Sequence, residues 1–464
     1  VSLVLRAVGG VAHLAFGRRF RRALIDPARA QQVLQAQILA DLQRTELGQG
    51  LRRFDDLPPR AWSDLAPFAE AACRGEIGVL SPFPVTHIEH TSGSTGPRKS
   101  MPVTAPLQSA VTAMLALWAG DLIGGAKLGS GRTWVVTTPV LGGTPQLPAD
   151  DTAYLSGWAR PVMRRFLVPP DEACDGAAWV EAVAARLVQE PRLEVISGWN
   201  PTLLELVLDA AERQAPWTRL WPQLRVVSAW GDAHAAPALN RLSQRLRGVL
   251  VQPKGLLATE GPMTVPLIGL QGSVGLVEHV VLELINPTGD LLPLHEARLG
   301  EIYELVPSWR GGLVRYRIGD LVEVVGHVGQ TPTLRLVGRA DARSDLVGEK
   351  LDERFVQAAF ARVLPDLPFA TLVPLLGPPA RYALLSDRRV APERLAALDV
   401  ALREAVHYDR ARELGQLGAL EAVTRPDAAL FALQSGGAIG SHLGDQKHRF
   451  LVRLPADGWL RPSG

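Results

Sequence analysis

Between Trp134 and Val251 short apolar runs of strand length alternate with amphipathic stretches, and that alternation restricts the possible folds more than any other feature. Trp134-Val135-Val136-Thr137-Thr138, Leu193-Glu194-Val195-Ile196, Arg225-Val226-Val227-Ser228 and Val249-Leu250-Val251 read as buried strands. Trp179 to Gln189, Thr202 to Gln214 and Ala236 to Leu246 read as helices between them. Strand–helix–strand order predicts an α/β fold with a largely parallel sheet. Ligands of such sheets sit in the loops beyond the carboxyl ends of the strands. The Trp230-Gly231-Asp232 turn and the segment after Val251 are expected at such ends.

A third candidate lies upstream. His90-Thr91-Ser92-Gly93-Ser94-Thr95-Gly96-Pro97-Arg98-Lys99-Ser100 concentrates hydroxyls, two glycines and two adjacent cations. Val85 to Ile88 reads as a strand before it and Leu107 to Ile123 as a helix after it. A loop between strand and helix can offer backbone N–H groups, Ser/Thr donors and positive charge to a phosphate chain. Gly93 and Gly96 would let the backbone come close to the anion. The spacing does not match the common nucleotide-binding loop, because Arg98 stands where its second glycine would be. It is not a Gly-x-Ser-x-Gly nucleophile elbow either. Taken alone, the loop also reads as a surface turn of small polar residues.

From about residue 274 strands follow one another without helices: Val280 to Ile285, Gly300 to Val306, Leu313 to Tyr316, Leu321 to Val325 and Thr333 to Val337. After Asp341 the pattern becomes mixed. Phe369 to Leu375, Arg381 to Leu385 and Leu420 to Thr424 read as strands, and Ala391 to Val406 and Ala428 to Gln434 as helices. The expected organisation is a large α/β unit over 1–340 with mixed sheets and helices, and a small α+β unit over 341–464.

Composition narrows the function classes. A formal charge of +2 over 464 residues calls for no nucleic-acid partner. Two cysteines, Cys73 and Cys174, make no disulfide framework, which suits a reducing, cytoplasmic setting. Val1 to Phe16 is apolar but interrupted, with arginines following rather than preceding it, so it reads as an amphipathic helix and not a secretory signal. Its basic face also suits weak peripheral membrane contact; no later stretch reads as a membrane span. Only five of the 49 basic residues are lysines: Lys99, Lys127, Lys254, Lys350 and Lys447. In so arginine-rich a chain a lysine marks places that need a compact point charge.

Four further segments bear on the phosphate loop. In Leu256-Leu257-Ala258-Thr259-Glu260-Gly261 a carboxylate beside a hydroxyl can hold Mg²⁺ against phosphates; a helix cap is the competing reading. In Arg315-Tyr316-Arg317-Ile318-Gly319-Asp320 the aspartate can accept two ribose hydroxyls, or mark a hairpin turn. Val337-Gly338-Arg339-Ala340-Asp341 runs into Gly348-Glu349-Lys350-Leu351-Asp352-Glu353, and Gly444-Asp445-Gln446-Lys447-His448-Arg449 lies near the end.

In this order the series resembles the adenylate-forming superfamily, and more closely the plant auxin- and jasmonate-conjugating acyl-acid amido synthetase family with its bacterial relatives. The resemblance runs from QQVLQAQILADLQRTELG at Gln31 through HTSGSTGPRKSMPVT, LLATEG, RYRIGD and GRADARSDLVGEKLDE to HLGDQKHRF. It implies ATP and Mg²⁺ as cofactors, with a carboxylic acid activated as acyl-adenylate and passed to an amine, most simply an amino acid. By resemblance, Ser92, Gly93, Ser94, Thr95, Gly96 and Lys99 hold the ATP phosphates. Thr259 contacts the α-phosphate, Glu260 binds the metal, and Asp320 with Arg339 takes the ribose. Lys447, on a mobile C-terminal domain hinged at 339–345, becomes the catalytic lysine. The family's adenine-stacking tyrosine is replaced by Leu256, which leaves Trp230 as the aromatic nearest that role. Acyl-CoA ligases share the first half-reaction and are the alternative; a silent nucleotide-binding relative is the reading from another class. Met114, Trp118 and the loops at Gly142-Gly143 and Trp199-Asn200 are the expected acyl pocket, or simply core.

Overall fold

The computed structural model describes residues 10, 16–91, 99–129, 132–135, 176–198, 200–232, 235–339, 343–344, 346–347, 349–375, 379–435, 446 and 448–452. Near the start of the described residues lie the helices α1 (Arg18–Ile25) and α2 (Pro27–Leu42). Asp26 caps the second by accepting the Arg29 N–H at 3.1 Å, with Pro27 at the first helical position. α1 turns Phe20, Ala23 and Leu24 inward and leaves its arginines exposed. Gln31 on α2 is buried; its Nε2 donates to the carbonyls of Val277 and Val280 at 2.8 and 2.9 Å, and its Oε1 accepts the Leu282 N–H at 2.8 Å. A buried amide with all these groups satisfied fixes the helix to the sheet below without leaving a polar cost behind.

After α3 (Trp62–Cys73) come β1 (Val85–His90) and β2 (Ser100–Thr104), an antiparallel pair with His90 opposite Ser100. The Ser/Gly-rich loop therefore closes a hairpin and does not join a strand to a helix; α4 (Ala105–Gly125) begins directly after β2. Pro102 conceals β2 in the sequence, because proline cannot donate to a ladder and is placed in sheets only at edges or irregularities. Contrary to the sequence reading, α4 has the length and composition of a membrane-crossing helix. Its buried residues divide between two cores, Leu107, Met114 and Leu117 in one and Leu122 in the other, and a helix between two cores needs no polar face.

The predicted alternation follows: β3 (Thr133–Val135), α5 (Gly176–Val188), β4 (Val195–Ser197), α6 (Pro201–Glu212), α7 (Trp217–Leu220), β5 (Val226–Ala229), α8 (Ala236–Arg245) and β6 (Leu250–Pro253). The four strands form one parallel sheet in chain order. Trp134, Ile196 and Val227 face α5, α6 and α8, whereas Val195, Val226 and Leu250 face the C-terminal half of α4. The two-residue period of a strand sends alternate side chains to opposite cores.

A short hairpin, β7 (Leu257–Ala258) and β8 (Gly261–Pro262), leads into β9 (Thr264–Val265), β10 (Ser273–Gly275), β11 (Val280–Ile285), β12 (Leu291–Pro293), β13 (Ile302–Trp309), β14 (Asp320–Val328) and β15 (Thr331–Arg339). The last seven form an antiparallel sheet ordered β12-β11-β13-β14-β15-β10-β9, so the helix-free stretch is a second sheet and not an extension of the first. Leu313 to Tyr316, expected as a strand, bends instead. Arg315 has φ +46° and Tyr316 makes only an isolated bridge to Arg60. The cause is the Arg315 side chain, which is buried and donates to Glu283 at 2.6 and 2.9 Å, to the Leu57 carbonyl at 2.7 Å and to Asp55 at 2.8 Å.

β16 (Arg343–Ser344) and β17 (Leu351–Asp352) form a small ladder before α9 (Glu353–Val363), β18 (Ala370–Leu375), β19 (Arg381–Ser386), α10 (Pro392–Leu402), α11 (Val406–Glu413), β20 (Glu421–Thr424) and α12 (Ala428–Ser435). β18, β19 and β20 make a three-stranded sheet. The stretch expected as one helix from Ala391 to Val406 is interrupted before Val406. Asp399 spans the break, accepting from Arg403 at 3.3 Å, Tyr408 at 2.8 Å and Arg412 at 3.1 Å.

Arg315 and Glu283 are both nearly inaccessible, and removing one partner leaves the other charge buried alone. Arg315→Met is expected to cost about 3–5 kcal/mol of unfolding free energy by urea titration, and adding Glu283→Leu to recover part of it.

Candidate active site

The ends of the Ser/Gly-rich loop are fixed by backbone. Thr91 N–H donates to the Lys99 carbonyl at 3.0 Å, and Lys99 N–H donates to Thr91 Oγ1 at 3.0 Å. Ser92, Gly93, Ser94, Thr95 and Gly96 themselves lie outside the described residues. Lys99 is placed closely. Its Nζ donates to the Tyr316 hydroxyl at 3.0 Å and lies 5.2 Å from the Trp62 ring and 5.7 Å from the Tyr316 ring. Trp62 and Tyr316 meet edge to face at 6.4 Å. Two aromatic faces stabilise an ammonium by cation–π attraction, so the cation is held in place by its neighbours.

Glu260 lies in the turn between β7 and β8 and is buried. Gly261 has φ +152°, and a Cβ there would come within 2.8 Å of the Trp309 ring and 2.9 Å of Leu107. The turn can therefore press against the first turns of α4 only with glycine at that position. Burial pushes the Glu260 carboxyl above the usual carboxylate range. Lys99 and Arg339 pull it back, and Asp320 adds to the rise. The fields of Lys99, Arg339 and Asp320 thus all reach Glu260, although the four residues span 240 positions of sequence.

Asp320 opens β14 opposite Arg339 at the end of β15, with an Arg339 Nη1 to Asp320 Oδ1 distance of 3.6 Å. Arg339 also donates to the Ile318 carbonyl at 2.9 Å. Asp320 is thereby held by a strand and not by the free hairpin turn that its Gly-Asp context allowed. Thr259 is half-buried beside Glu260. Trp230 follows β5, half-buried. Its turn is fastened to β15 through Asp232, which accepts the Leu336 N–H at 3.1 Å and whose carboxyl burial pushes up to about 6. A Cβ on Gly231 would meet Pro253 at 2.6 Å, so this turn too depends on glycine. Leu256 is packed in the main core, its N–H donating to Thr264 Oγ1 at 2.6 Å.

Lys447 lies outside the described residues, as do Gly142, Gly143 and Trp199. Gln446, next to Lys447, is buried, and its carbonyl accepts from Asn200 Nδ2 at 2.6 Å. Asn200 also caps α6, accepting the Thr202 N–H at 2.8 Å. On the other side His448 is buried against Phe369 and Phe450. Of the Gly348–Glu353 motif, Glu349 accepts from Leu346 and Val347, Asp352 caps α9, and Glu353 accepts the Phe450 N–H at 2.8 Å. Of these acids, Glu353 is the one that reaches the C-terminal segment, at Phe450.

Two contacts went unforeseen. Tyr316 lay inside a quoted motif but carried no role there; Trp62 carried no signal, since only the fold brings α3 to Lys99. A buried carboxylate that feels two cations and a second carboxylate can hold a metal–polyanion pair. Mg²⁺ binds through one or two carboxylates together with substrate phosphates, which Glu260 fits. No group of three His, Cys, Asp or Glu able to ligate a metal occurs among the described residues.

The raised Glu260 carboxyl predicts a pH effect with a definite sign. The folded protein keeps this proton to higher pH than the unfolded chain, so between the two values stability falls as pH rises. Glu260→Gln should therefore raise the denaturant midpoint at about pH 8, and the gain should vanish below the ordinary glutamate range near pH ~4.3. A gain independent of pH would mean the charge is not the cause.

The GH3 family N-terminal domain matches residues 17–150 and the GH3 family central domain residues 273–339. A GH3 domain-containing protein of Homo sapiens is 32% identical over 167 residues, covering 32% of this chain and 30% of the relative. A jasmonoyl–L-amino acid synthetase of Nicotiana attenuata is 30% identical over 256 residues, covering 48% and 44%. The chain thus spans less than half the length of these relatives. The structure of a GH3.15 acyl acid amido synthetase superimposes with TM-score 0.74 at 16% identity, covering 93% and 92% of the two chains. A 2-hydroxyisobutyryl-CoA ligase in its postadenylation state gives 0.54 at 14%, covering 97% and 89%; at such identities the likeness is one of fold. Two GH3 family domains thus match in family order, and the fold of an acyl acid amido synthetase is shared along nearly the whole length of the chain.

Proposed function

We propose that the protein is an ATP-dependent acyl-acid amido synthetase: it activates a carboxylic acid as its acyl-adenylate and transfers the acyl group to an amine, most simply an amino acid. The observation that carries this reading is the convergence of Lys99, Glu260, Asp320 and Arg339 on one place. A binding module for one small anion has no need of a buried, charge-strained carboxylate. ATP brings a polyphosphate that requires cations and a ribose that requires an acceptor.

The division of labour follows from the chemistry. A carboxylate approaching a phosphate chain brings two anions together, so the gain comes from position and electrostatic stabilisation. Lys99, fixed by Tyr316 and Trp62, would sit against the phosphates without reorganising, together with Ser92, Gly93, Ser94, Thr95 and Gly96. Thr259 would donate at the reacting phosphate. Glu260 would hold Mg²⁺, which when bound supplies charge neutralisation. Asp320, oriented by Arg339, would accept the ribose hydroxyls, with Trp230 beside the base. We place the boundary near residue 340, with the 341–464 unit bringing Lys447 to the reacting carboxylate and then withdrawing it for the amine. Motion of that kind lets one site serve two half-reactions.

Acid-dependent exchange of pyrophosphate into ATP is the direct test, over a broad panel of acids. Lys99→Met should reduce exchange by about 10²–10³. Lys447→Ala should abolish it while ATP binding survives. Mass analysis of products formed with amines or CoA then separates amide synthesis from thioester formation. No exchange and no AMP release with any acid would overturn the proposal.

A further inference from the structure

The arginines of α1 and α2 play no part in the proposed chemistry. Residues 18–29 hold five arginines against one aspartate, whereas the whole chain has a formal charge of only +2, so the rest of it is net negative. Positive charge is therefore concentrated at these two helices. They bound a groove of about 330 Å³ lined by Arg19, Arg22 and Arg29 together with the apolar Ala23, Ala30 and Val33. Its two acids are Asp26 and Glu278. Ile25, at the end of α1, and Val33, on α2, are 63% and 52% exposed, high values for large aliphatic side chains.

Both acids are engaged within the fold. Glu278 accepts from Arg19, and Asp26 caps α2 at the Arg29 N–H. Arg22 and Arg29 are exposed, and neither side chain is in an ion pair among the described residues. The apolar face of α1 is committed elsewhere, since Phe20, Ala23 and Leu24 are packed in the main core. It therefore cannot lie in a bilayer as an interfacial amphipathic helix does, apolar face down. What α1 and α2 present to solvent is a cationic surface with two aliphatic side chains beside it.

A guanidinium pairs well with phosphate oxygens. A nucleic acid would supply phosphates but no apolar phase for Ile25 and Val33, and a small soluble anion would leave both in water. A bilayer with anionic headgroups supplies charge at its surface and hydrocarbon just beneath. We infer that the groove between α1 and α2 docks the protein on an anionic membrane surface. Arg22 and Arg29 take the headgroup phosphates, while Ile25 and Val33 rest at the edge of the acyl region. With no helix inserted, the attachment is reversible and weakened by salt. It goes beyond the proposed activity and does not depend on it.

The test is co-sedimentation of the full chain with vesicles of phosphatidylcholine alone, or with about 30% phosphatidylserine. The protein should partition onto the anionic vesicles at about 0.1 M salt, leave them at about 1 M, and ignore the neutral ones. Each arginine at such a surface contributes about fivefold, so Arg22→Gln with Arg29→Gln should weaken partition by roughly twentyfold. Arg22→Lys with Arg29→Lys, which keeps both charges, should retain most of it. Ile25→Ser with Val33→Ser should weaken partition several-fold and leave its salt dependence unchanged. Circular dichroism reports whether each variant is folded. No partition onto anionic vesicles, equal partition onto neutral ones, or a folded double glutamine variant that partitions like the parent would overturn the inference. So would calorimetric binding of inorganic phosphate through the same two arginines without vesicle partition, which would make the groove a small-anion site.

Discussion

The Arg315 guanidinium is the contact on which the arrangement of the site depends. It is buried, at φ +46°, and reaches Glu283 on β11, the Leu57 carbonyl and Asp55 at once. Burial pushes the Glu283 carboxyl up and Arg315 draws it back, so the pair is locked by mutual need and not by surplus energy. Its backbone adds a second hold, because Arg60 N–H donates to the Arg315 carbonyl and Arg317 N–H to the Arg60 carbonyl, both at 2.8 Å. Tyr316 is thus presented to Lys99 from between two fixed residues. Asp320 follows four residues later at the start of β14.

The same logic recurs elsewhere: charged residues of the quoted motifs divide between those that face the site and those that hold the chain. Glu349, Asp352 and Glu353 belong to the second kind, accepting backbone N–H groups around the ladder and helix that adjoin the C-terminal segment. Glu260 belongs to the first. Its turn is held by Gly261, Trp309 and Leu107, and its carboxyl is kept out of water at a cost that a bound cation would offset.

The parallel sheet was legible because buried strands and their crossover helices have distinct periods, and Val195, Val226 and Leu250 keep to theirs. The antiparallel sheet was legible as a change of texture, but the bend at Arg315 was not, since nothing local distinguishes a buried guanidinium from a surface one. β2 was hidden by Pro102. At the site, Glu260, Asp320 and Arg339 were readable from short motifs at element ends, where polar residues stand beside glycine. Trp62 was not, because its meeting with Lys99 is set by how α3 packs. The alignment of Ser197, Ser228 and Gln252 across β4, β5 and β6 was unreadable for a related reason, since only the register brings them side by side.

Helix α4 links these two places mechanically. Leu107, near its start, is the wall against which the Glu260 turn closes, and Trp118, near its end, bonds Gln252 on the parallel sheet. A rigid rod bearing on both cannot tilt to suit one without disturbing the other. Anything that moves the rod at the Glu260 turn must therefore also strain its contacts with the parallel sheet, and the sheet resists in turn. The length and sequence of this one helix would then set how strongly the sheet feels what happens at the turn.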